Sequence, residues 1–275
     1  MPELPEVETI CRDLALAVKN DSIKSVDVLD SFNLREIKAD DFSGILRDKT
    51  VIDVRRLGKM IDIALSDSYH LLIHLRMTGK ITLCGKTCNT ITHKKIIFNM
   101  RKAGEMILSD IRKFAVIYLK QGAEYKKISY ITNLGVDPLS AAFSLTVLNS
   151  LMKKYGQKNI KNFLMDQKIL SGIGNIYASE IMFRSGISPL RTIKSLRITE
   201  TKKIFREIVK VLTEAVEARG TTFSDYRDSA DKKGSFQKML KVYDRENKKC
   251  LVCAGKIKKI KQGGRSTFFC DRCQK

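Results

Sequence analysis

The chain has 275 residues, enough for two modest domains or one large one. Lysine and arginine number 51 against 30 acidic residues, a formal net charge of +21; such an excess favours a polyanionic partner, nucleic acid before an anionic membrane surface. No apolar run reaches bilayer length, which excludes a helical membrane protein, and the opening MPELPEVETI carries two prolines and three glutamates where a secretory signal would have a basic region and an apolar stretch, so a cytoplasmic location is expected.

Residues 3–20 read as a helix. Pro5 suits a first turn, Glu6 and Glu8 complement the positive end of the helix dipole, and Val7, Ile10, Leu14 and Val18 recur at helical spacing. From about 23 to 131 the period changes. Short, often β-branched runs alternate with turn residues: Ile23–Leu29, Thr50–Val54, Met60–Leu65, Tyr69–Leu75, Lys80–Leu83, Lys95–Asn99, Glu105–Ser109 and Val116–Leu119. So many short strands at regular spacing predict an antiparallel sandwich or barrel. The strands stop near Gly135-Val136-Asp137-Pro138, which places a domain boundary at 135 and a linker over 136–145. Residues 146–219 read as helices, clearest over Thr199–Arg219, where Ile204, Ile208, Val211, Leu212, Ala215 and Val216 form one apolar stripe suited to a core. Residues 220–240 are polar and turn-rich and are assigned to the same helical domain as a loop, and 241–275 form a third segment. The fold class is therefore α+β: an N-terminal sandwich with a leading helix, then a helical domain.

That third segment holds Cys250-x2-Cys253 and Cys270-x2-Cys273, sixteen residues apart. A two-residue spacer lets both thiolates of a pair turn onto one ion, and two pairs complete a tetrahedron. In a cytoplasmic chain this spacing points to one structural Zn2+ rather than to cystines, and a closed four-cysteine site leaves no open position for catalysis. Between the pairs, Lys256–Phe269 carries five basic residues and Gly263-Gly264, and reads as a β-hairpin whose tip, with Arg265 just past the glycines, can approach phosphates. Cys84 and Cys88 have no second ligand pair nearby and Cys11 sits in a helix, so all three are read as structural.

These features alone describe a DNA-binding protein. The opening MPELPEVET goes further, because it resembles the start of the formamidopyrimidine-DNA glycosylase family. So do Arg55-Arg56-Leu57-Gly58-Lys59, His74-Leu75-Arg76-Met77-Thr78-Gly79, Asp110-Ile111-Arg112-Lys113-Phe114, Leu164-Met165-Asp166, Gly172-Ile173-Gly174-Asn175-Ile176-Tyr177-Ala178-Ser179-Glu180 and Gly264-Arg265-Ser266-Thr267-Phe268-Phe269-Cys270, in family order along nearly the whole chain. The resemblance implies a bifunctional glycosylase and AP lyase acting on damaged double-stranded DNA, with a helix–two-turn–helix motif and a zinc finger.

By the same resemblance, Pro2 is the nucleophile. A small residue after Met1 permits removal of the initiator methionine, leaving a secondary amine whose covalent adduct is a permanently cationic iminium, an electron sink for elimination. Glu3 is implied as proton donor, Lys59 as a phosphate contact that assists β-elimination, and Arg265 as the grip on the lesion's phosphate, linked to δ-elimination. Asn175 is expected to work with Arg265, and two close glycines before a helix suit phosphate. His74, His93 and Tyr243 match further DNA-contact positions. Met77, Arg112 and Phe114 match an intercalating triad that offsets the unstacking cost of base extrusion. The 220–240 loop, with Thr222, Phe223, Tyr226 and Gly234, corresponds to a segment that covers the everted base.

Some positions depart from the family pattern: Ala115 for Gly, Lys113 for Arg and Ala254 for Gly. A phosphate-binding lysine ahead of Leu164 aligns on Gly156, with Lys154 or Lys158 as substitutes. Two rival readings are an endonuclease-eight-like enzyme for oxidised pyrimidines, against which Leu4 speaks because that branch has glycine there, and a non-catalytic zinc-dependent DNA-binding protein, against which Pro2, Glu3, Lys59 and Arg265 together speak. A duplex-wrapping protein of this kind is expected to act as a monomer.

Overall fold

The structure, a computed structural model, describes residues 2–85, 90–222 and 228–275. The chain divides into two compact units, Met1–Thr132 with Ala218–Ser235, and Asn133–Glu217 with Phe236–Lys275.

In the first unit, helix α1 (Leu4–Val18) begins where Glu3 and Glu6 form a reciprocal capping box: the Glu3 side chain accepts from the Glu6 amide, and Glu6 Oε2 accepts from the Glu3 amide at 2.8 Å. The strands described here are β1 (Ile23–Val28), β2 (Val51–Leu57), β3 (Met60–Leu65), β4 (Tyr69–His74), β5 (Gly79–Cys84), β6 (Lys94–Met100), β7 (Glu105–Asp110) and β8 (Val116–Gln121). They pair antiparallel into two four-stranded sheets, ordered β1-β6-β7-β5 and β2-β3-β4-β8. Alternating residues of both sheets, such as Ile61, Ile63, Leu71, Ile73, Ile96, Phe98 and Leu108, share one core with Val7, Ile10, Leu14 and Val18 of α1. A second short helix, α2 (Ala39–Leu46), lies between β1 and β2 and buries Phe42 and Leu46 in that core. Sequence periodicity passes over it because its eight residues include Gly44 and only two fully buried apolar side chains.

The second unit is helical: after the one-turn α3 (Ser129–Thr132) that closes the first unit come α4 (Leu145–Lys154), α5 (Ile160–Met165), α6 (Asn175–Ser185) and α7 (Ile198–Glu217). The predicted stripe is buried, with Ile204, Ile208, Val211, Leu212, Ala215 and Val216 all on the inner face of α7. The unit ends in the hairpin β9 (Lys258–Gln262) and β10 (Arg265–Phe269), in register Arg265↔Gln262.

One difference from the sequence reading concerns 218–235, assigned there to the helical domain. Its described residues, 218–222 and 228–235, group with the first unit instead. Polar groups of α1 hold it: Glu6 Oε1 accepts from the Thr221 amide at 2.7 Å, and Asp13 accepts from Arg219 at 2.6 Å and from the Ser229 hydroxyl at 2.9 Å. The buried Asp228 gathers Arg219 and the amides of Ala230 and Lys232, and Leu83 of β5 donates its amide to the Ser229 carbonyl at 2.8 Å. Polarity, which suggested a free loop, is here the means of attachment. Phe223, Tyr226 and Cys88 lie outside the described residues.

The two limbs of the segment meet at glycines. A Cβ on Gly234 would lie 2.2 Å from the Gly220 carbonyl oxygen and 2.6 Å from that of Arg219. Gly234→Ala should therefore cost about 1–3 kcal/mol through overpacking; a thermal melt of the variant superposing on that of the parent would refute the packing described.

Candidate functional site

Pro2 is buried and stands one residue before the N-cap of α1. Glu3 and Glu6 are 3% and 1% exposed. The capping box thus fixes a carboxylate beside Pro2 and holds the first residues against fraying. Lys59, 5% exposed, sits in the two-residue turn Gly58-Lys59 set by the Leu57↔Met60 pairing. Gly58 takes φ +61°, which favours glycine. The turn is tied to α1 because Arg56 Nε donates to Glu8 Oε2 at 2.9 Å, and to the end of the unit because the Lys59 amide donates to the Tyr130 hydroxyl at 2.8 Å. The sequence reading treats Arg56 as part of a basic run; here it is a strut between β2 and the helix that carries Pro2.

His74, the last residue of β4, is 4% exposed and meets Tyr130 edge-on at 5.0 Å. Its Nδ1 accepts from the Arg76 amide at 3.1 Å, which leaves the proton on Nε2. Burial pushes its pKa down from the ordinary 6.5 to about 3, and the charges of Arg76 and Lys59 add to the shift. A neutral, enclosed imidazole braces the Arg76 backbone and the Tyr130 ring, whose hydroxyl holds the Lys59 amide. His93 is exposed, at φ +56°, and its carbonyl accepts from the Asp110 amide at 3.1 Å.

Met77 and Phe114 are 41% and 48% exposed, and the Arg112 guanidinium lies 4.6 Å over the Phe114 ring. Two apolar tips and a stacked cation, presented to solvent by adjacent turns, are suited to entering a base stack.

In the second unit, Asn175 opens α6, and its Nδ2 donates to the Ser266 carbonyl at 2.9 Å, while its buried Oδ1 meets no hydrogen-bond donor among the described residues. Gly263 and Gly264 both take positive φ, +54° and +74°, so the hairpin turns by a tight two-residue loop and leaves Arg265 exposed. Tyr243 packs edge-on against Phe268 at 5.1 Å, and its amide donates to the buried Glu180 at 2.9 Å. Burial raises the Glu180 pKa while three backbone amides, those of 241–243, oppose the shift. Sequence reasoning missed Lys161. It is 1% exposed, and its ammonium donates to the Ser266 carbonyl at 3.0 Å and the Thr267 hydroxyl at 2.5 Å, beside Arg265. Its only sequence signal is a lysine one step into a short helix, indistinguishable from surface charge. Lys158, offered as a substitute phosphate ligand, pairs with Asp166 at 2.9 Å.

The four cysteines converge. Their sulfurs all lie within 4.8 Å of one another, with Cys250–Cys273 at 3.8 Å and Cys253–Cys270 at 3.4 Å. Four Zn–S bonds of about 2.3 Å define a tetrahedron with edges of about 3.8 Å, so the donor set fits one Zn2+. No solvent-facing fifth ligand is needed, and the ion's task there is structural.

Comparison with known proteins agrees. The formamidopyrimidine-DNA glycosylase N-terminal domain matches residues 1–117, the formamidopyrimidine-DNA glycosylase H2TH domain 134–227, and the zinc finger found in FPG and IleRS 247–275. Formamidopyrimidine-DNA glycosylases of Pelotomaculum thermopropionicum and Carboxydothermus hydrogenoformans are 38% and 37% identical over all of this chain and 99% and 100% of their own. The crystal structure of MutM (Fpg) from Thermus thermophilus superposes with a TM-score of 0.88 at 32% identity, covering 99% of this chain and 98% of that one. A variant of Lactococcus lactis FPG bound to Fapy-dG-containing DNA gives 0.91 at 28% identity over the whole of both chains. The architecture is thus that of the helix–two-turn–helix DNA glycosylases with a zinc finger. Within that class, the chain belongs to the formamidopyrimidine-DNA glycosylase family.

Two measurements test this geometry. His74 is neutral in the fold, whereas the unfolded chain protonates it below about pH 6.5; stability should therefore fall as pH drops from 6.5 towards 3, by up to about 1.4 kcal/mol per pH unit from this group alone. Denaturant unfolding of His74→Gln should show a flatter acid limb than the parent, and parallel limbs would contradict the burial argument. Removing zinc should collapse the hairpin that presents Arg265 and abolish duplex binding; metal-free protein that binds the duplex with unchanged anisotropy would refute the coupling.

Proposed function

We propose that this chain is a base-excision repair glycosylase and AP lyase that removes oxidised purines, 8-oxoguanine and formamidopyrimidines, from damaged double-stranded DNA. The observation that carries the reading is its full-length kinship: three family domains in order, and relatives named formamidopyrimidine-DNA glycosylase aligned over the entire chain.

The residues then take these roles. After loss of Met1, Pro2 carries a free secondary amine. Its lone pair attacks the sugar C1′, the glycosidic bond breaks, and the bonding pair leaves with the base, which takes up a proton. Glu3, fixed beside Pro2, donates a proton to the ring oxygen as the deoxyribose opens. The iminium that results acidifies the C2′ proton. Its removal expels the 3′-phosphate, and a second elimination expels the 5′-phosphate, leaving a one-nucleoside gap. Lys59 binds phosphate beside the lesion and assists the first elimination. Arg265 and Asn175 hold the lesion's phosphate, and Lys161 supports them by fixing the strand that follows Arg265. His74, His93 and Tyr243 complete the DNA-contact surface, while Met77, Arg112 and Phe114 fill the space the extruded base leaves. The zinc ion supplies no step and keeps the hairpin folded. The chain acts as a monomer on the nucleoid in the bacterial cytoplasm, with affinity that falls steeply with salt because most contacts are to phosphate.

The test is borohydride trapping on a duplex with a single 8-oxoguanine opposite cytosine, beside one with an oxidised pyrimidine, using protein whose intact mass proves Met1 absent. A covalent adduct on the purine lesion is expected, and Pro2→Gly and Glu3→Gln should lose turnover by about 100-fold or more. Trapping on the pyrimidine duplex alone would move the chain to the endonuclease-eight branch, and none on either would leave a DNA-binding protein.

A further inference from the structure

Met77 belongs to the turn after β4, Arg112 and Phe114 to the turn after β7, and nothing in either turn's own sequence makes the two move together. One buried side chain joins them. Asp110, 1% exposed, ends β7 and pairs with Gly79. Its Oδ1 accepts the Thr78 hydroxyl at 2.5 Å and the Arg112 amide at 3.2 Å, and its Oδ2 accepts the Ala115 amide at 2.8 Å. Thr78 Oγ1 in turn lies 3.3 Å from the Arg112 amide. Both carboxylate oxygens are thus occupied, one facing each end of the Arg112–Phe114 turn, and the Thr78 link reaches across to the residue next to Met77.

The backbone around this carboxylate is held where side chains rarely go. Arg76 and Lys113, one in each turn, have φ of +55° and +57°. Such positions persist only when neighbouring contacts over-determine them. Gly79 closes the first turn, with its amide on the Leu75 carbonyl at 3.0 Å and no room for a Cβ, which would lie 2.5 Å from that oxygen. The second turn is buttressed behind by Asn33, whose Nδ2 donates to the Ala115 carbonyl at 2.8 Å.

We infer that Asp110 is a positioning residue for base extrusion: its carboxylate locks the Met77 turn to the Arg112–Phe114 turn, so that the three side chains enter the duplex as one rigid wedge. The inference rests on the wedge reading of Met77, Arg112 and Phe114 under Proposed function. A rigid wedge meets the unstacking cost without first paying to order its own turns, which two independent turns would have to do. Asp110→Asn keeps the size but replaces one acceptor with a donor that faces an N–H or O–H. Thr78→Val removes only the link between turns.

The experiment compares single-turnover base excision from an 8-oxoguanine duplex with strand cleavage at a preformed abasic site, where no base has to be extruded. It uses the full zinc-loaded chain and records the melting temperature of each variant. Asp110→Asn and Thr78→Val are expected to slow excision by about tenfold while abasic-site cleavage stays within about threefold, in line with loss of one buried hydrogen bond or more. A 2-aminopurine beside the lesion should brighten more slowly in both variants, reporting slower unstacking. Excision at the parental rate in both variants overturns the inference, as does a parallel loss of both activities with the melting temperature. Phe114→Ala and Arg112→Ala serve as the control on the underlying reading: excision unaffected by either would sink the wedge itself, whereas slowed excision there with normal excision in Asp110→Asn would sink only the role of Asp110.

Discussion

Residues at the start of a chain face a basic physical problem, since chain termini are where order is lost first. Here the Glu6 carboxylate solves it. One oxygen takes the Glu3 amide and the other takes the Thr221 amide, in a position 1% exposed to solvent. The same group therefore starts the first helix, pins the two residues before it, and anchors a segment 215 residues away in sequence. A Cβ on Gly220 would lie 2.8 Å from the Glu6 side chain, so the approach depends on a residue without one. Take this carboxylate away and both the N-terminal entry and the returning segment lose their common fixture.

The pattern repeats at smaller scale. The net charge is +21, yet the groups that organise the backbone are acidic and buried: Asp21 under the amides of Ser22, Lys102 and Ala103, Asp110 under the turn of Arg112–Phe114, Glu180 under 241–243, and Asp228 in the returning segment. Backbone amides carry no net charge, so a carboxylate that gathers several of them is stabilised in a buried place with little call on the lysines and arginines, although Asp228 also takes the Arg219 guanidinium. Buried acidic groups thus organise much of the backbone of a basic chain.

How much of this the sequence discloses follows from range. The strands of the sandwich are legible because each is a short apolar, often β-branched run bounded by turn residues, and the observed limits lie within three positions of the expected ones. The cysteine pairs are legible because metal geometry fixes their spacing. The α7 stripe is legible because it recurs over about three and a half turns, from Ile204 to Val216. What stays hidden depends on partners far along the chain: α2, too short for periodicity to register, Arg56 as a strut rather than a basic turn, Lys161 as a buried donor, and the attachment of 218–235 to α1. Met77, Arg112 and Phe114 are visible only through family resemblance, since an exposed methionine and phenylalanine have no pattern of their own.

The path of the chain through its first unit has a consequence for biosynthesis. That unit is left at Thr132 and re-entered at Ala218. Glu6 emerges from the ribosome early, but Thr221 follows only after 215 more residues, an interval of about 10–40 s at bacterial elongation rates. During that time the sandwich can pair its strands while Glu6 still lacks the Thr221 amide that occupies its second oxygen. Splitting the gene at the visible boundary would produce a first half that never completes its own N-terminus.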